Sequence, residues 1–534
     1  MTYDFIIIGA GSAGCVLANR LSASSHINVL LLEAGPPDAS PLVHIPGAYS
    51  MLNHTKYDWS FYTEPQSAVD NRRIYIPRGK TLGGCSSTNA MAYVRGNSAD
   101  YDGWAALGNK GWSYAEVLPY FKRSECHASL SGPYHGNDGP LRVCFSQQPT
   151  PLGDAFIEAC ELNGIPRNED YNGAQQCGAS MLQFTIHNNR RHSVATAFLK
   201  PVMNRSNLHV QTRCQVKRIL IEDSRATGVE VADAAGKTIR WYCNKEILLC
   251  AGTIQSPQLL MLSGIGDTAE LTKTGIPVTR HLPGVGRNLQ DHVWSGVSGL
   301  TTVPTGNAVL HPLNAGKAFL QHLFWKKGPL GNSPLEANAF LKTDPSLNRP
   351  DIQLHLAAFG VAPDYSTDIY NIRTFPRASG YGILTILIRP QSRGYISLRS
   401  ADPGMPPVIQ PNLLSHPDDM EVLLKGLRKA LEIAVSAPMK RYSRGELQFP
   451  AAPYTDELLR VHIRKSLETL YHPVGTCKMG PDEMAVVNDA LQVKGIAGLR
   501  VVDASVMPAI VSGNTNATVI MIGEKAADLI LKDY

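Results

Sequence analysis

Ile6-Ile7-Ile8-Gly9-Ala10-Gly11-Ser12-Ala13-Gly14 is followed by a second apolar run, Val29-Leu30-Leu31-Leu32, which ends on Glu33 and Ala34. The text reads as a strand, a glycine turn, a helix and a second strand tipped by a carboxylate. Glu33 lies nineteen positions beyond Gly14, the interval a dinucleotide site needs. Gly9 makes the tight turn, Gly11 lets backbone approach a pyrophosphate, and Gly14 lets helix and strand pack closely. The helix N-terminus turns free N–H groups and a favourable dipole to the phosphates. Glu33 can accept from both hydroxyls of an adenosine ribose, and its charge disfavours a 2′-phosphate. The segment predicts an ADP-containing cofactor.

The remainder of the 534 residues sets bounds. Hydrophobic residues make up 43% and charged residues 18%, the composition of a globular enzyme. A net charge of +5 is slight for this length and points to no nucleic-acid partner. The ten cysteines show no CxxC pair, and no apolar run is long enough to span a bilayer. The first strand begins without a basic n-region, so the expectation is a reducing, cytoplasmic setting. Lys317 to Lys327 can form a helix with one apolar side and a basic end. Packing on its own domain is the simpler reading, with peripheral contact at an inner membrane face as the other.

Strand-like runs at 208–210, 219–221 and 229–231 lead to Glu246-Ile247-Leu248-Leu249-Cys250-Ala251-Gly252. Beyond residue 300, Ile352-Gln353-Leu354-His355-Leu356 and Tyr395-Ile396-Ser397-Leu398-Arg399 alternate with period 2, which predicts an antiparallel sheet with one buried face. Residues 418–436 read as an amphipathic helix, and a last helix starts near Thr518. The predicted fold is α/β (α+β overall), with a mostly β insert between two nucleotide-type halves.

Three further segments are specific. Gly79-Lys80-Thr81-Leu82-Gly83-Gly84-Cys85-Ser86-Ser87-Thr88-Asn89-Ala90 and the block Gly252 to Gly266 resemble the two signature blocks of the glucose–methanol–choline (GMC) flavoprotein oxidoreductases. Tyr471-His472-Pro473-Val474-Gly475-Thr476 with Gly513-Asn514-Thr515-Asn516-Ala517-Thr518 is the third. The resemblance runs end to end, nearest to bacterial FAD-dependent alcohol and choline dehydrogenases. It implies a Rossmann-like FAD-binding domain of residues 1–155, 195–298 and 467–534. Residues 156–194 and 299–466 would form the substrate domain. It further implies that Asn89, Ala90, Met91 and Ala92 run along the isoalloxazine, that Val216 meets the adenine, and that Asp503-Ala504 meets the ribityl and phosphate region. Trp59, Arg78, Leu82, Gly83, Gly84, Ser87, Ala251, Gly252 and Tyr471 fall among the implied flavin contacts. Asn516 and Thr518 are implied at the flavin pyrimidine edge, and Ala517 among the other cofactor contacts. Some members bind flavin covalently through a histidine where this chain has Thr88, so FAD is expected to be dissociable.

Oxidising an alcohol removes a hydroxyl proton and a hydride from one carbon. The hydride goes to flavin N5, and the protein must supply a proton acceptor beside the oxygen. His472 occupies the family's base position and Asn514 the second position. An asparagine can hold the substrate oxygen but cannot take its proton. His292, in Asn288-Leu289-Gln290-Asp291-His292, is read as structural and Cys477 as packing. The expected reaction is oxidation of a primary alcohol to an aldehyde, with electrons passed to a quinone or other non-oxygen acceptor. Choline dehydrogenation and an oxygen-using oxidase are the alternatives within the family, and an FAD-containing hydroxynitrile lyase is one outside redox chemistry. Glu336 lies where choline-acting relatives carry a carboxylate for the ammonium group, but Pro334 and Leu335 before it offer no aromatic wall. No HExxH occurs, and Gly84-Cys85-Ser86-Ser87-Thr88 fails the GxSxG elbow at its last position.

Overall fold

A computed structural model describes residues 2–232 and 236–534. Its nucleotide lobe is built on a seven-stranded sheet in the order Leu208–Thr212, Val29–Glu33, Thr2–Ile8, Thr238–Leu249, Arg225–Ala232, Gln215–Glu222, with Leu499–Val501 also paired to Thr238–Leu249. The strands from Leu208–Thr212 to Thr238–Leu249, and Leu499–Val501, run parallel. Register Ile8↔Leu32 ends the first two strands together and brings Glu33 beside the glycine turn. Unbroken apolar runs are expected here, because helices cover both faces of such a sheet. Helix Ser12–Leu21 packs against the C-terminal helix Thr515–Asp533, and Arg20 pairs at 2.6 Å with the fully buried Glu524.

Gly9 has φ +100°, and a Cβ on it would stand 2.5 Å from the Cys250 carbonyl oxygen. A Cβ on Gly14 would stand 2.0 Å from the Gly9 carbonyl oxygen. Gly14→Ala is therefore expected to push the helix off the turn at a cost of about 1–3 kcal/mol. Thermal unfolding and flavin content of the purified variant check this. Full flavin occupancy at the parent melting temperature would contradict it.

The second lobe is a six-stranded antiparallel sheet in the order Glu468–Thr469, Val293–Leu300, Gly380–Leu387, Ile352–Ala357, Leu335–Leu341, Gly178–Met181. Alternation sorts its residues. Ile352, Leu354 and Leu356 join a core with helices Pro417–Ala434 and Pro151–Leu162 on one face, while His355 and Ala357 turn to a cavity on the other. The expected boundaries need correction. Val293–Leu300 and Glu468–Thr469 are strands of this sheet, and helix Pro151–Leu162 packs on it, so residues 293–298, 467–469 and 151–155 leave the nucleotide lobe. Gly394–Ser397, inside the second alternating run, pairs instead with Arg287–Leu289 and Val408–Gln410 in a separate three-stranded sheet.

Candidate active site

One cavity of about 1630 Å³ runs from the glycine turn to the face of the antiparallel sheet. That exceeds the roughly 300–1,000 Å³ of an ordinary small-ligand site. Gly9, Gly11, Ser12, Ala13, Glu33, Ala34, Val216, Ala251 and Gly252 line one end. Trp59, Arg78, Gly84, Asn89, Ala90, Met91, Ala92, Tyr471, Asp503, Ala504 and Asn516 also line it, as do His472, Asn514 and Glu336.

Six residues inferred from the sequence stay off the wall. Gly14 lies beneath the turn against the Gly9 carbonyl. Gly83 donates its N–H to the Ala10 carbonyl at 2.7 Å, and the Ser87 hydroxyl donates to the Leu82 carbonyl at 2.7 Å. Leu82, Gly83 and Ser87 thus fasten this loop to the glycine turn. Ala517 is buried in the last helix, and Thr518 Oγ1 meets the Tyr101 hydroxyl at 2.9 Å. Helical periodicity turns these two away from the cavity, while Asn516 lines it and accepts from Ser12 Oγ at 2.7 Å.

The walls fit FAD. Glu33 accepts from the Ala10 N–H at 3.0 Å and the Gly35 N–H at 2.8 Å, so both carboxylate oxygens are held at the turn. Burial pushes its carboxyl up to about 7, and ribose hydroxyls would supply the solvation that burial removes. A Cβ on Gly252 would meet nothing within 4 Å, although its φ of +84° restricts the position to glycine. The space left there faces the cavity. Asp503 accepts from the Gly252 N–H at 2.9 Å and the Ser256 hydroxyl at 2.5 Å, locking that helix start. Asn89 Oδ1 accepts from Arg191 at 2.8 Å and from the Met91 N–H at 3.0 Å, which fixes the run beside it. Met91 and Tyr471 each have φ +64°, a conformation costly for side-chain-bearing residues and concentrated at functional sites.

At the chemical end, His472 Nε2 stands 3.3 Å from Asn514 Nδ2, and His472 Nδ1 stands 3.0 Å from His292 Nδ1. His292 Nε2 lies 3.1 Å from the Ile388 carbonyl oxygen. A carbonyl only accepts, so His292 carries its proton on Nε2 and leaves Nδ1 bare. That bare nitrogen must accept from His472 Nδ1–H. His472 Nε2 is then the free lone pair, and it faces the amide donor of Asn514. The His472 backbone N–H donates to Asp291 Oδ1 at 2.7 Å, and the Tyr471 carbonyl accepts from Arg78 at 2.7 Å, so the loop is held from both sides. Burial holds the His472 imidazole well below its usual range, aided by the neighbouring His292 and Arg78. His292 is lowered to about 3 by burial. His472 is thus neutral and able to accept a proton at neutral pH.

Two residues escaped the sequence reading of this end. His292, read from the sequence as structural, is a direct hydrogen-bond partner of His472. His355 is almost fully buried on the cavity wall with both ring nitrogens unpartnered. Its only sequence signal was a polar residue on the inward side of an alternating strand.

Residues 3–294 match the N-terminal family model of the GMC oxidoreductases and residues 390–523 the C-terminal one. The chain belongs to the GMC oxidoreductase family. Human mitochondrial choline dehydrogenase is 42% identical over 99% of this chain and 89% of its own length. The alcohol dehydrogenase [acceptor] of Pseudomonas putida is 40% identical over 99% of this chain and 96% of its own. A formate oxidase of Aspergillus oryzae, solved to follow modification of its FAD, superposes with a TM-score of 0.92 at 27% identity, covering 100% and 98% of the two chains. This GMC protein is an FAD-dependent oxidoreductase acting on CH–OH groups. Among the described residues no cluster suits a metal ion, no disulfide joins the ten cysteines, and no helix is long and apolar enough to cross a membrane.

Proposed function

We propose that the chain oxidises an uncharged primary alcohol to its aldehyde, with His472 Nε2 as the base and electrons leaving to a quinone or other non-oxygen acceptor. The observation that carries this reading is the His472 Nε2 lone pair, set against Asn514 Nδ2 at 3.3 Å on the cavity wall. FAD, when bound, supplies the hydride acceptor. His472 Nε2 takes the hydroxyl proton, and Asn514 Nδ2 donates to the same oxygen and orients the carbon. His292 accepts from His472 Nδ1 throughout, which holds the ring in one tautomer and orientation. Thr88 offers no nitrogen for a covalent link, so the flavin is held by the contacts above.

Glu336 supports the choice of an uncharged alcohol. It is the extra residue of a β-bulge, between the pairs Leu335↔Ala357 and Ala337↔Leu356, and bulges re-aim side chains near active sites. Its two oxygens accept from the Thr150 hydroxyl at 2.6 Å and the Thr150 N–H at 3.2 Å. Burial raises its carboxyl, favouring the neutral form. A carboxylate so engaged is a poor anchor for an ammonium group. Choline is the second reading, because Glu336 still borders the cavity together with Trp294, which offers an aromatic face for a cation.

Anaerobic flavin reduction by straight-chain, aromatic and quaternary-ammonium alcohols separates the two. Straight-chain or aromatic alcohols are expected to bleach the flavin fastest, and acid denaturation to release all of it into the supernatant. Reduction by choline alone would reverse the assignment, and flavin that stays oxidised with every alcohol would overturn both.

A further inference from the structure

Helix Pro312–Trp325 is built the wrong way round for a helix that packs on its own domain. Only Ala318 and His322 are buried. Leu313, Phe324 and Trp325 are 79%, 67% and 65% exposed, and Phe319, Leu320 and Leu323 are exposed beside them. At 100° per residue, Leu313, Leu320, Leu323 and Phe324 lie opposite the Ala318–His322 edge. A surface helix ordinarily turns such a stripe inward. The helix meets its own domain along the narrow Ala318–His322 edge and leaves its apolar stripe in solvent.

We propose that this face docks on an anionic lipid bilayer. The surrounding charge selects that occupant. No Asp or Glu occurs between Asp291 and Glu336, while Lys317, Lys326 and Lys327 flank or follow the apolar stripe. An apolar face with aromatic residues at its end and lysines on its borders is the pattern of a helix lying in the membrane plane. Long lysine stems let the ammonium groups reach the headgroups while the methylenes cover apolar surface. A second copy fits less well. In a two-fold pairing, Lys317 near the helix middle would approach its own mate with no acidic residue in the segment to offset it.

Docking here would also bear on turnover. Lys317, Ala318, Phe319 and Gln321, from the same helix, line the cavity. The cavity mouth would then open at the lipid surface, where apolar alcohols and membrane-dissolved quinones concentrate. This consequence, unlike the docking itself, rests on the function proposed above.

The test uses the flavin-loaded full chain and vesicles of neutral phosphatidylcholine, with or without an anionic phospholipid. Co-sedimentation with the anionic vesicles is expected, weakening as salt is raised. A Leu320→Ser/Leu323→Ser/Phe324→Ser variant, altered only at positions off the cavity wall, is expected to lose binding by about tenfold or more. Its alcohol-driven reduction of a water-soluble dye should stay at the parent rate. Lys326→Glu/Lys327→Glu is expected to abolish the preference for anionic vesicles. Parent protein that stays in the supernatant at low salt would overturn the proposal, as would a serine variant that sediments as well as the parent. A dimer in sedimentation velocity without lipid, lost in the serine variant, would also overturn it, in favour of self-association. Sedimentation without dye reduction would refute the functional reading and leave the docking surface standing.

Discussion

Exchange of His472 for alanine will leave the protein yellow and nearly abolish its reduction by alcohol. A positioned base contributes about 10²–10⁴ in rate, and a loss in this range is expected for anaerobic flavin reduction. His292 cannot take over the proton, because it spends Nε2 on the Ile388 carbonyl and Nδ1 on His472. His355 has free nitrogens, but a bond or stack between it and Asn514 is absent among the described residues, and only Asn514 shares the His472 lone pair. The flavin should stay, because Glu33, Asp503 and the glycine turn lie at other parts of the cavity. Stopped-flow reduction together with the flavin-to-protein ratio gives the answer.

Replacement of His292 by leucine will cost about 10²-fold in the same rate, within the general-base range. The variant leaves His472 Nδ1–H without its acceptor, so the ring can exchange tautomers or rotate, and the free lone pair is no longer fixed toward Asn514. The effect should fall on the maximal reduction rate more than on the alcohol concentration needed for half of it. A second signature separates positioning from loss of packing. The His292 ring lowers the His472 pKa, so its removal should move the acid limb of the rate profile to higher pH. His292→Asn, whose side-chain oxygen can accept from Nδ1–H, should recover part of the rate. If leucine and asparagine variants melt early and lose flavin alike, His292 serves packing alone.

Much of the nucleotide lobe was legible because its signals are local. The run Ile6 to Gly14 and the acid at Glu33 lie within one strand–helix–strand unit, and backbone sterics at Gly9 and Gly14 demand glycine there. The inward alternation of Ile352, Leu354 and Leu356 likewise needs only the period of a strand. What was missed depends on pairings distant along the chain. His292 meets His472 only after Val293–Leu300 joins the sheet beside Glu468–Thr469, and that short partner strand has no periodic pattern of its own. Thr518 sits in a helix whose rotation is set by packing against Tyr101. The helix carrying Leu320 and Phe324 has the composition of a buried one. Only its place at the cavity rim leaves that stripe in solvent.

In the proposed function a neutral His472, with its lone pair on Nε2, receives the proton of the alcohol. The most direct test of this transfer is the rate of anaerobic flavin reduction by a good alcohol, followed across pH. Burial lowers the pKa of this imidazole below the ordinary value of about 6.5, so the basic form persists into weak acid. The rate should be level from neutral pH upward and fall only below about pH 6.5, and the residual rate of His472→Ala should lack that limb. A parent rate that keeps climbing well above neutrality, or an alanine variant with the parent profile and rate, would place the base elsewhere.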